Sequence, residues 1–210
     1  LVRISQEQRV YLAEAIWTRY MPVSKTIREM AESGIIGKPM MLTANLGYVI
    51  SEVERIARPE LCGGALYDLG VYPINFALMT FGNEIEKITS TCVKNAAGVD
   101  MQNSITFTYR DGRMAVMQTT AFCATDRMGI ISGDKGYIVI DNINNPQLAV
   151  VYNTEHQEIA RRTCPPQITG FEYQVQEAVD AIREGRIEPV SMPHEESLSV
   201  MRMLDELRKE

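Results

Sequence analysis

The strongest constraint on the fold comes from residues 84–154, where apolar residues recur at every second position. Five segments alternate in this way and are rich in β-branched residues: EIEKITSTCVKN, QNSITFTYR, RMAVMQTTAF, MGIISGDKGYIVID and PQLAVVYNT. Asp111-Gly112 and Asp134-Lys135-Gly136 are turn signals between strands. Because no helical pattern separates the segments, short connections must join the strands, which favours antiparallel pairing.

Helical patterns lie on both sides of this stretch. Four segments have apolar residues at helical spacing: residues 21–37, 65–82, 169–186 and 194–210. Residues 9–17 and 38–50 are predicted to be strands, and residues 51–64 a polar loop. Helices that flank consecutive strands predict an α+β fold, with a large, predominantly antiparallel open sheet and helices on one face.

Composition and charge disfavour several classes of function. The formal net charge of −6 gives an acidic surface, which disfavours nucleic acid as a partner. No apolar run reaches the ~20 residues of a membrane-spanning helix. Four widely spaced cysteines and two distant histidines predict no metal site and no disulfide framework, and favour a cytoplasmic protein. The sequence contains neither GxGxxG nor GxxxxGK[ST], so we expect no nucleotide site within this chain.

The segment GGALYDLGVYPIN, residues 63–75, places two polar side chains in an apolar helix pattern. Asp68 and Tyr72 are four residues apart, so both would leave one face of the helix. Pro73 is expected to kink this helix, because proline lacks the N–H that a helix interior needs. A carboxylate beside a phenol suits acid–base chemistry. A tyrosine packed in the core and an acid favoured by the helix start would explain the same pattern.

Four stretches, in this order, resemble the C-terminal half of the Gfo/Idh/MocA oxidoreductases: EAIWTRYMP, GGALYDLGVYP, GFEYQVQEA and ESLSVMRMLDELR. The branch they resemble contains the dimeric dihydrodiol dehydrogenases and sugar (xylose) dehydrogenases. Members have an N-terminal Rossmann domain that binds NAD or NADP, and a C-terminal α+β domain. The resemblance implies that residues 1–18 are the end of an otherwise absent Rossmann domain. It implies that residues 19–210 are the substrate-binding and dimerisation domain.

The resemblance also implies roles for five residues. Asp68 and Tyr72 would be catalytic, beside the nicotinamide, although many family members have histidine at the position of Tyr72. Trp17, Arg19 and Phe171 would bind the substrate, a sugar or a cyclic diol. The NAD or NADP, and a catalytic lysine that precedes residue 1, would belong to the full-length parent. This chain alone is therefore expected to bind no cofactor and to be inactive.

Both faces of the predicted sheet carry apolar residues, because the strand segments have them at odd and at even positions. Helices on one side would leave the other face of the sheet open. We therefore expect a homodimer through the open face. The alternative function is a non-catalytic ligand-binding, regulatory or oligomerisation module on the same fold. A lysine motif upstream of residue 1 would favour the enzyme.

Overall fold

Eight strands form one open sheet in the computed structural model, which describes residues 1–208 and confirms the predicted α+β class. The strands are β1 (Pro39–Gly47), β2 (Ile85–Lys94), β3 (Asp100–Tyr109), β4 (Met114–Thr120), β5 (Gly129–Gly133), β6 (Gly136–Ile140), β7 (Leu148–Asn153) and β8 (Glu158–Thr163). The α-helices of the described chain are α1 (Val2–Gln8), α2 (Pro22–Glu32), α3 (Glu54–Ala57), α4 (Val71–Phe81), α5 (Glu172–Arg183) and α6 (His194–Leu207).

The strand order is β2-β3-β4-β1-β5-β6-β7-β8. Neighbouring strands pair antiparallel, except β1 and β4, which run parallel with Leu42 opposite Ala115. Strand β1 therefore joins two antiparallel meanders. Its end at Gly47 lies near the start of β5 and the end of β6, since Gly129 pairs with both Ala44 and Ile140. This order brings three connections together at the same ends of neighbouring strands: those that follow β1, precede β5 and follow β6.

The hydrophobic core lies between one face of the sheet and helices α2, α4 and α6. Leu42 of β1, Phe107 of β3 and Ile131 of β5 point into it and are fully buried. They join Ile74 of α4 and Leu204 of α6 in one continuous cluster. On the opposite face most side chains of β3, β4 and β6 are partly or fully exposed. Helices on one face and an open second face agree with the predicted architecture.

The prediction of a strand at residues 9–17 is wrong. This segment forms no ladder with the sheet, and its last residue, Trp17, begins a turn of 3₁₀ helix, Trp17–Arg19. The Leu12 N–H instead donates to the Ile187 carbonyl at 3.0 Å, and Ile16 enters the core. Its apolar residues reflect packing against the rest of the chain, which a short apolar run does not distinguish from strand pairing.

Two further elements differ from the sequence prediction. Strand β8 extends the sheet beyond the predicted strands. Five of its six residues are exposed and three are charged, as on many edge strands, so it lacks a strong apolar alternation. The predicted loop at residues 51–64 contains α3 and a 3₁₀ turn at Pro59–Leu61. The two predicted turns are confirmed, since they connect β3 to β4 and β5 to β6.

The predicted helix at residues 65–82 changes its hydrogen-bond pattern part-way. Leu66–Gly70 is a π-helix, which continues directly into α4. The buried Asp100 carboxylate of β3 accepts the Leu66 N–H at 2.6 Å, and so fixes where the helical segment begins. Pro73 falls in the first turn of α4, just after the change from π to α, where its missing N–H is tolerated. Short π segments are often found at functional sites.

Candidate functional site

Asp68 and Tyr72 line one cleft of about 300 Å³, beside the strand ends where the three connections meet. Asp68 belongs to the π-helical segment and Tyr72 to the first turn of α4. The other lining residues are Tyr48, Ile50, Val53, Arg55, Ile56, Leu69 and Asn144. Apolar walls with a few convergent polar groups are typical of sites for small molecules. The structure therefore brings the two predicted catalytic residues to one concave surface.

The Asp68 carboxylate is held by Arg55 of α3. Its Oδ1 forms an ion pair with Arg55 Nη1, and the two side chains are 25% and 63% exposed, respectively. An ion pair this exposed contributes ~1 kcal/mol or less to stability. Its main effect is to orient the carboxylate at the cleft and to balance its charge. No hydrogen bond to Oδ2 is formed within residues 1–208, so this oxygen remains available as an acceptor.

Tyr72 is half-buried in the wall of the cleft. Burial raises the pKa of Tyr72, a hydrogen bond from the Trp17 side chain opposes this rise, and Asp68 and Tyr48 add to it electrostatically. The phenol therefore keeps its proton at neutral pH and is a donor to a ligand oxygen. To act as a base, it needs a neighbouring cation that favours the phenolate.

Trp17 and Phe171 form an aromatic pair behind Tyr72. Their rings are stacked, with centroids 4.3 Å apart and planes at 28°. Trp17 is buried, whereas Phe171 is 49% exposed. Gly170 has φ 96°, and a Cβ there would lie 2.7 Å from Trp17 Cζ3, so glycine is what permits the close approach of this backbone. The Thr169 hydroxyl accepts the Phe171 N–H at 3.2 Å just before α5 begins. Phe171 thus covers Trp17, and neither residue is among those that line the cleft.

Arg19 is not among the residues that line the cleft. Its side chain is 7% exposed; Nε donates to Asn75 Oδ1 at 2.7 Å, and Nη1 pairs with Glu196. These contacts tie the 3₁₀ turn to α4 and α6. They favour a structural role and provide no support for the substrate-binding role that the resemblance implies.

Sequence reasoning missed three residues that meet at the cleft edge: Tyr48, Arg127 and Asn144. Asn144 Nδ2 and Arg127 Nη1 both donate to the Tyr48 hydroxyl, at 3.1 and 3.3 Å. They follow β1, precede β5 and follow β6, so the strand order brings them together and no local pattern links them. One available signal is the polar run DNINNP directly after an apolar strand, because loops at strand ends often carry function.

The glycine cluster before the π segment does not fit a phosphate. A Cβ on Gly63 would lie 2.5 Å from the Ile56 carbonyl oxygen, and one on Gly64 would collide with the Asp100 carboxylate. Both glycines therefore face oxygen atoms, which would repel a phosphate group. Among residues 1–208 no three metal-ligating side chains are grouped, and none of the helices there has the length and apolar character to cross a membrane.

The family model of the GFO/IDH/MocA C-terminal domain matches residues 24–139, more than half of the chain. The chain belongs to the GFO/IDH/MocA family. The matched residues include Tyr48, Asp68 and Tyr72, so most of the cleft lies in the part that is shared with the GFO/IDH/MocA C-terminal domain.

Two curated proteins illustrate the relationship. Trans-1,2-dihydrobenzene-1,2-diol dehydrogenase from Xenopus tropicalis is 30% identical over 212 aligned residues, which cover 98% of this chain and 64% of that protein. D-xylose 1-dehydrogenase (NADP(+)) from Hypocrea jecorina is 26% identical, with 98% of this chain and 61% of that protein covered. The chain thus spans less than two thirds of the length of these relatives.

Solved structures share the fold at lower identity. The 3-ketoreductase KijD10 from Actinomadura kijaniata, in complex with NADP and TDP-benzene, superimposes with a TM-score of 0.86 at 18% identity. The match covers 99% of this chain and 65% of that one. Aldose-aldose oxidoreductase from Caulobacter crescentus gives a TM-score of 0.80 at 18% identity, over 92% of this chain and 59% of that one. These matches establish the fold, including its sheet and flanking helices.

Proposed function

We propose that this chain is the substrate-binding part of an NAD(P)-dependent oxidoreductase that acts on a secondary alcohol of a sugar or cyclic diol, or on the corresponding carbonyl. The observation that carries the proposal is the cleft shared by the Tyr72 phenol and the Asp68 carboxylate. Family membership supports it, since two relatives are named dehydrogenases of a diol and of a sugar. Oxidation of an alcohol releases a proton and a hydride, so a proton-transfer group must lie beside the reacting carbon.

Tyr72 is the proton-transfer group of this proposal. Since burial raises its pKa, the phenol is protonated at neutral pH and donates its proton to the carbonyl oxygen in the direction of reduction. In the direction of oxidation, the phenolate accepts the proton of the substrate hydroxyl. A lysine cation from the parent protein, as the family resemblance implies, would favour that phenolate. Asp68, oriented by Arg55, accepts a hydrogen bond from the substrate and holds it in place.

We assign the NAD or NADP to another domain of the parent protein. The glycine cluster of this chain faces carbonyl and carboxylate oxygens and does not suit a pyrophosphate. When bound, the nicotinamide supplies the hydride donor or acceptor. The names of one relative and one solved neighbour include NADP, which supports this class of cofactor. In the same proposal residues 1–18 are the end of that domain, although Ile16 and Trp17 pack in the core of residues 19–210.

The open sheet face supports a homodimer as part of the proposal. Half-buried Val116 and Val139 lie on it, as do Met41 and Met114, which are 47% and 39% exposed. Burial of apolar surface contributes about 25 cal/mol per Å², and a second copy can present the same face about a two-fold axis. All four cysteines lie in the described part of the chain and are unpaired, which supports our proposed location in the reducing cytoplasm.

The proposal is tested on the full-length parent protein and on the 210-residue chain in parallel. We expect the parent to oxidise D-xylose or trans-1,2-cyclohexanediol with NAD⁺ or NADP⁺, followed by the absorbance of the reduced nicotinamide. Calorimetric titration of the 210-residue chain should show no micromolar binding of NADH or NADPH. Micromolar binding would place the cofactor site within this chain. A parent protein that reduces neither cofactor with any sugar or diol would favour the non-catalytic module.

A further inference from the structure

The Tyr48 hydroxyl is the most highly coordinated side-chain oxygen of the cleft wall. A phenol oxygen accepts up to two hydrogen bonds and donates one. In the amide orientation of this structure, Asn144 Nδ2 and Arg127 Nη1 both donate to Tyr48, at 3.1 and 3.3 Å. Both acceptor positions are therefore occupied. The proton of Tyr48 has no acceptor among residues 1–208, and the residue lines the cleft.

Hydrogen bonds of the Arg127 backbone fix the position of this residue beside Tyr48. Arg127 has φ 61°, a left-handed conformation that non-glycine residues adopt rarely and that often accompanies function. Its N–H donates to Asn45 Oδ1 at 3.1 Å, and its carbonyl accepts the Ile143 N–H at 2.8 Å. The guanidinium lies 5.5 Å from the centre of the Tyr48 ring and forms no ion pair with a carboxylate within residues 1–208. Arg127 thus directs its charge at Tyr48.

The group that this cluster presents to the cleft is a neutral donor. Tyr48 lines the cleft and Arg127 does not, so the phenol O–H, and not the cation, is the group that a ligand would meet. The Asp68 carboxylate in the same cleft disfavours an anionic ligand. A neutral hydroxyl oxygen is the acceptor that suits this environment best. Tyr48 is also near enough to Tyr72 to affect its electrostatics.

We propose that Tyr48 is a second hydrogen-bond donor of the cleft, which binds a hydroxyl oxygen next to the reacting carbon and so selects vicinal diols over isolated alcohols. This inference rests on the proposed function of the cleft. Arg127 and Asn144 act through Tyr48: they occupy its acceptor positions and thereby direct its proton towards the ligand. Tyr72 and Asp68 would contact the reacting hydroxyl, and Tyr48 its neighbour.

The test is a pair of NMR titrations of the 210-residue chain, with trans-1,2-cyclohexanediol and with cyclohexanol. Tyr48→Phe should weaken diol binding roughly five- to tenfold, the usual worth of one hydrogen bond, and leave cyclohexanol binding unchanged. Tyr137→Phe is the matched control, because its hydroxyl contacts His156 outside the cleft. Asn144→Asp is the second variant: its carboxylate accepts the Tyr48 proton, so diol binding should fall even though the phenol is retained.

Equal diol affinity in the wild type and in Tyr48→Phe would overturn the proposal, and would indicate that Asn144 is turned so that its Oδ1 already accepts the Tyr48 proton. Absence of diol binding to the wild type would overturn it as well, as would an equal loss of both ligands. If Tyr48→Phe does not fold, the Asn144→Asp titration decides. These measurements need no cofactor, so they separate the two proposals. If the parent protein shows no turnover but the chain still prefers the diol, the enzyme is refuted and the role of Tyr48 is retained. If the parent turns over but Tyr48→Phe keeps the wild-type preference for the diol, the role of Tyr48 is refuted and the enzyme is retained.

Discussion

Replacement of Arg19 by methionine distinguishes a structural arginine from a substrate-binding one. The Arg19 side chain is 7% exposed and bonds to Asn75 and Glu196. The variant loses both bonds and leaves the fully buried Asn75 without this donor. A hydrogen bond to a charged group contributes ~1.5–3 kcal/mol, and an unsatisfied buried acceptor costs ~1–3 kcal/mol. Methionine retains much of the packing of the arginine stem, so the polar loss dominates.

We therefore expect Arg19→Met to lower the free energy of unfolding by about 3 kcal/mol, which corresponds to a fall in Tm of roughly 6–12 °C for a chain of this size. Urea unfolding of the 210-residue chain measures this directly. Arg55→Met is the matched control, because that guanidinium is 63% exposed and its pair with Asp68 is worth ~1 kcal/mol or less. Equal stability losses in the two variants, or no loss in Arg19→Met, would refute the structural reasoning and favour a ligand role for Arg19.

Gly170→Ala should be less stable than Gly185→Ala by ~1–2 kcal/mol in thermal melts, because both positions have positive φ but only the first Cβ meets Trp17; equal losses would contradict the packing argument. Desolvation of Glu172 favours a higher pKa, but the backbone N–H groups of residues 168–170 outweigh it and lower the pKa to about 2. A carboxyl whose pKa is lowered in the folded state stabilises the fold at pH values above its unfolded pKa of 4.5. The Tm advantage of the wild type over Glu172→Gln should therefore shrink as pH falls from 4.5 towards 2, and a Tm difference that does not change with pH would contradict the lowered pKa. Val116→Lys on the open face should give monomers in light scattering while the surface control Asn83→Lys remains dimeric, and a dimer in both would move the interface elsewhere.

Much of the fold was predictable because the apolar period of two residues persists over consecutive segments from residue 84 to residue 154 and helical spacing returns after them. The consecutive strands, the late helices and the turns at Gly112 and Gly136 all follow from local chemistry. The parallel pairing of β1 with β4 does not follow from local chemistry, because it depends on how several strands pack on one core and not on the sequence of a single strand. Strand β8 was missed because a charged sheet edge has one partner and little apolar surface.

The candidate site was predictable only where its residues are close in sequence. Asp68 and Tyr72 share a helical segment, so their spacing predicts a common face, and the structure places both in one cleft. The π pattern that carries Asp68 was not predictable, since the segment begins where Asp100, 34 residues later, accepts the Leu66 N–H. Tyr48 and Asn144 are 96 residues apart and meet only through the strand order. For Arg19, position in the motif implied a ligand contact, but the structure shows its side chain bonded to Asn75 and Glu196 within the protein.

The most direct test of the account is kcat of Tyr72→Phe in the proposed full-length parent protein. The control is Tyr67→Phe, which makes the same chemical change at a hydroxyl that donates to Asp205. If Tyr72 transfers the proton, kcat should fall by roughly 10²–10⁴-fold, the usual worth of general acid–base catalysis, with a change in unfolding free energy of no more than ~1 kcal/mol. Tyr67→Phe should retain the wild-type kcat. An unchanged kcat in Tyr72→Phe would contradict the central claim and leave Tyr72 as a packing residue of the cleft.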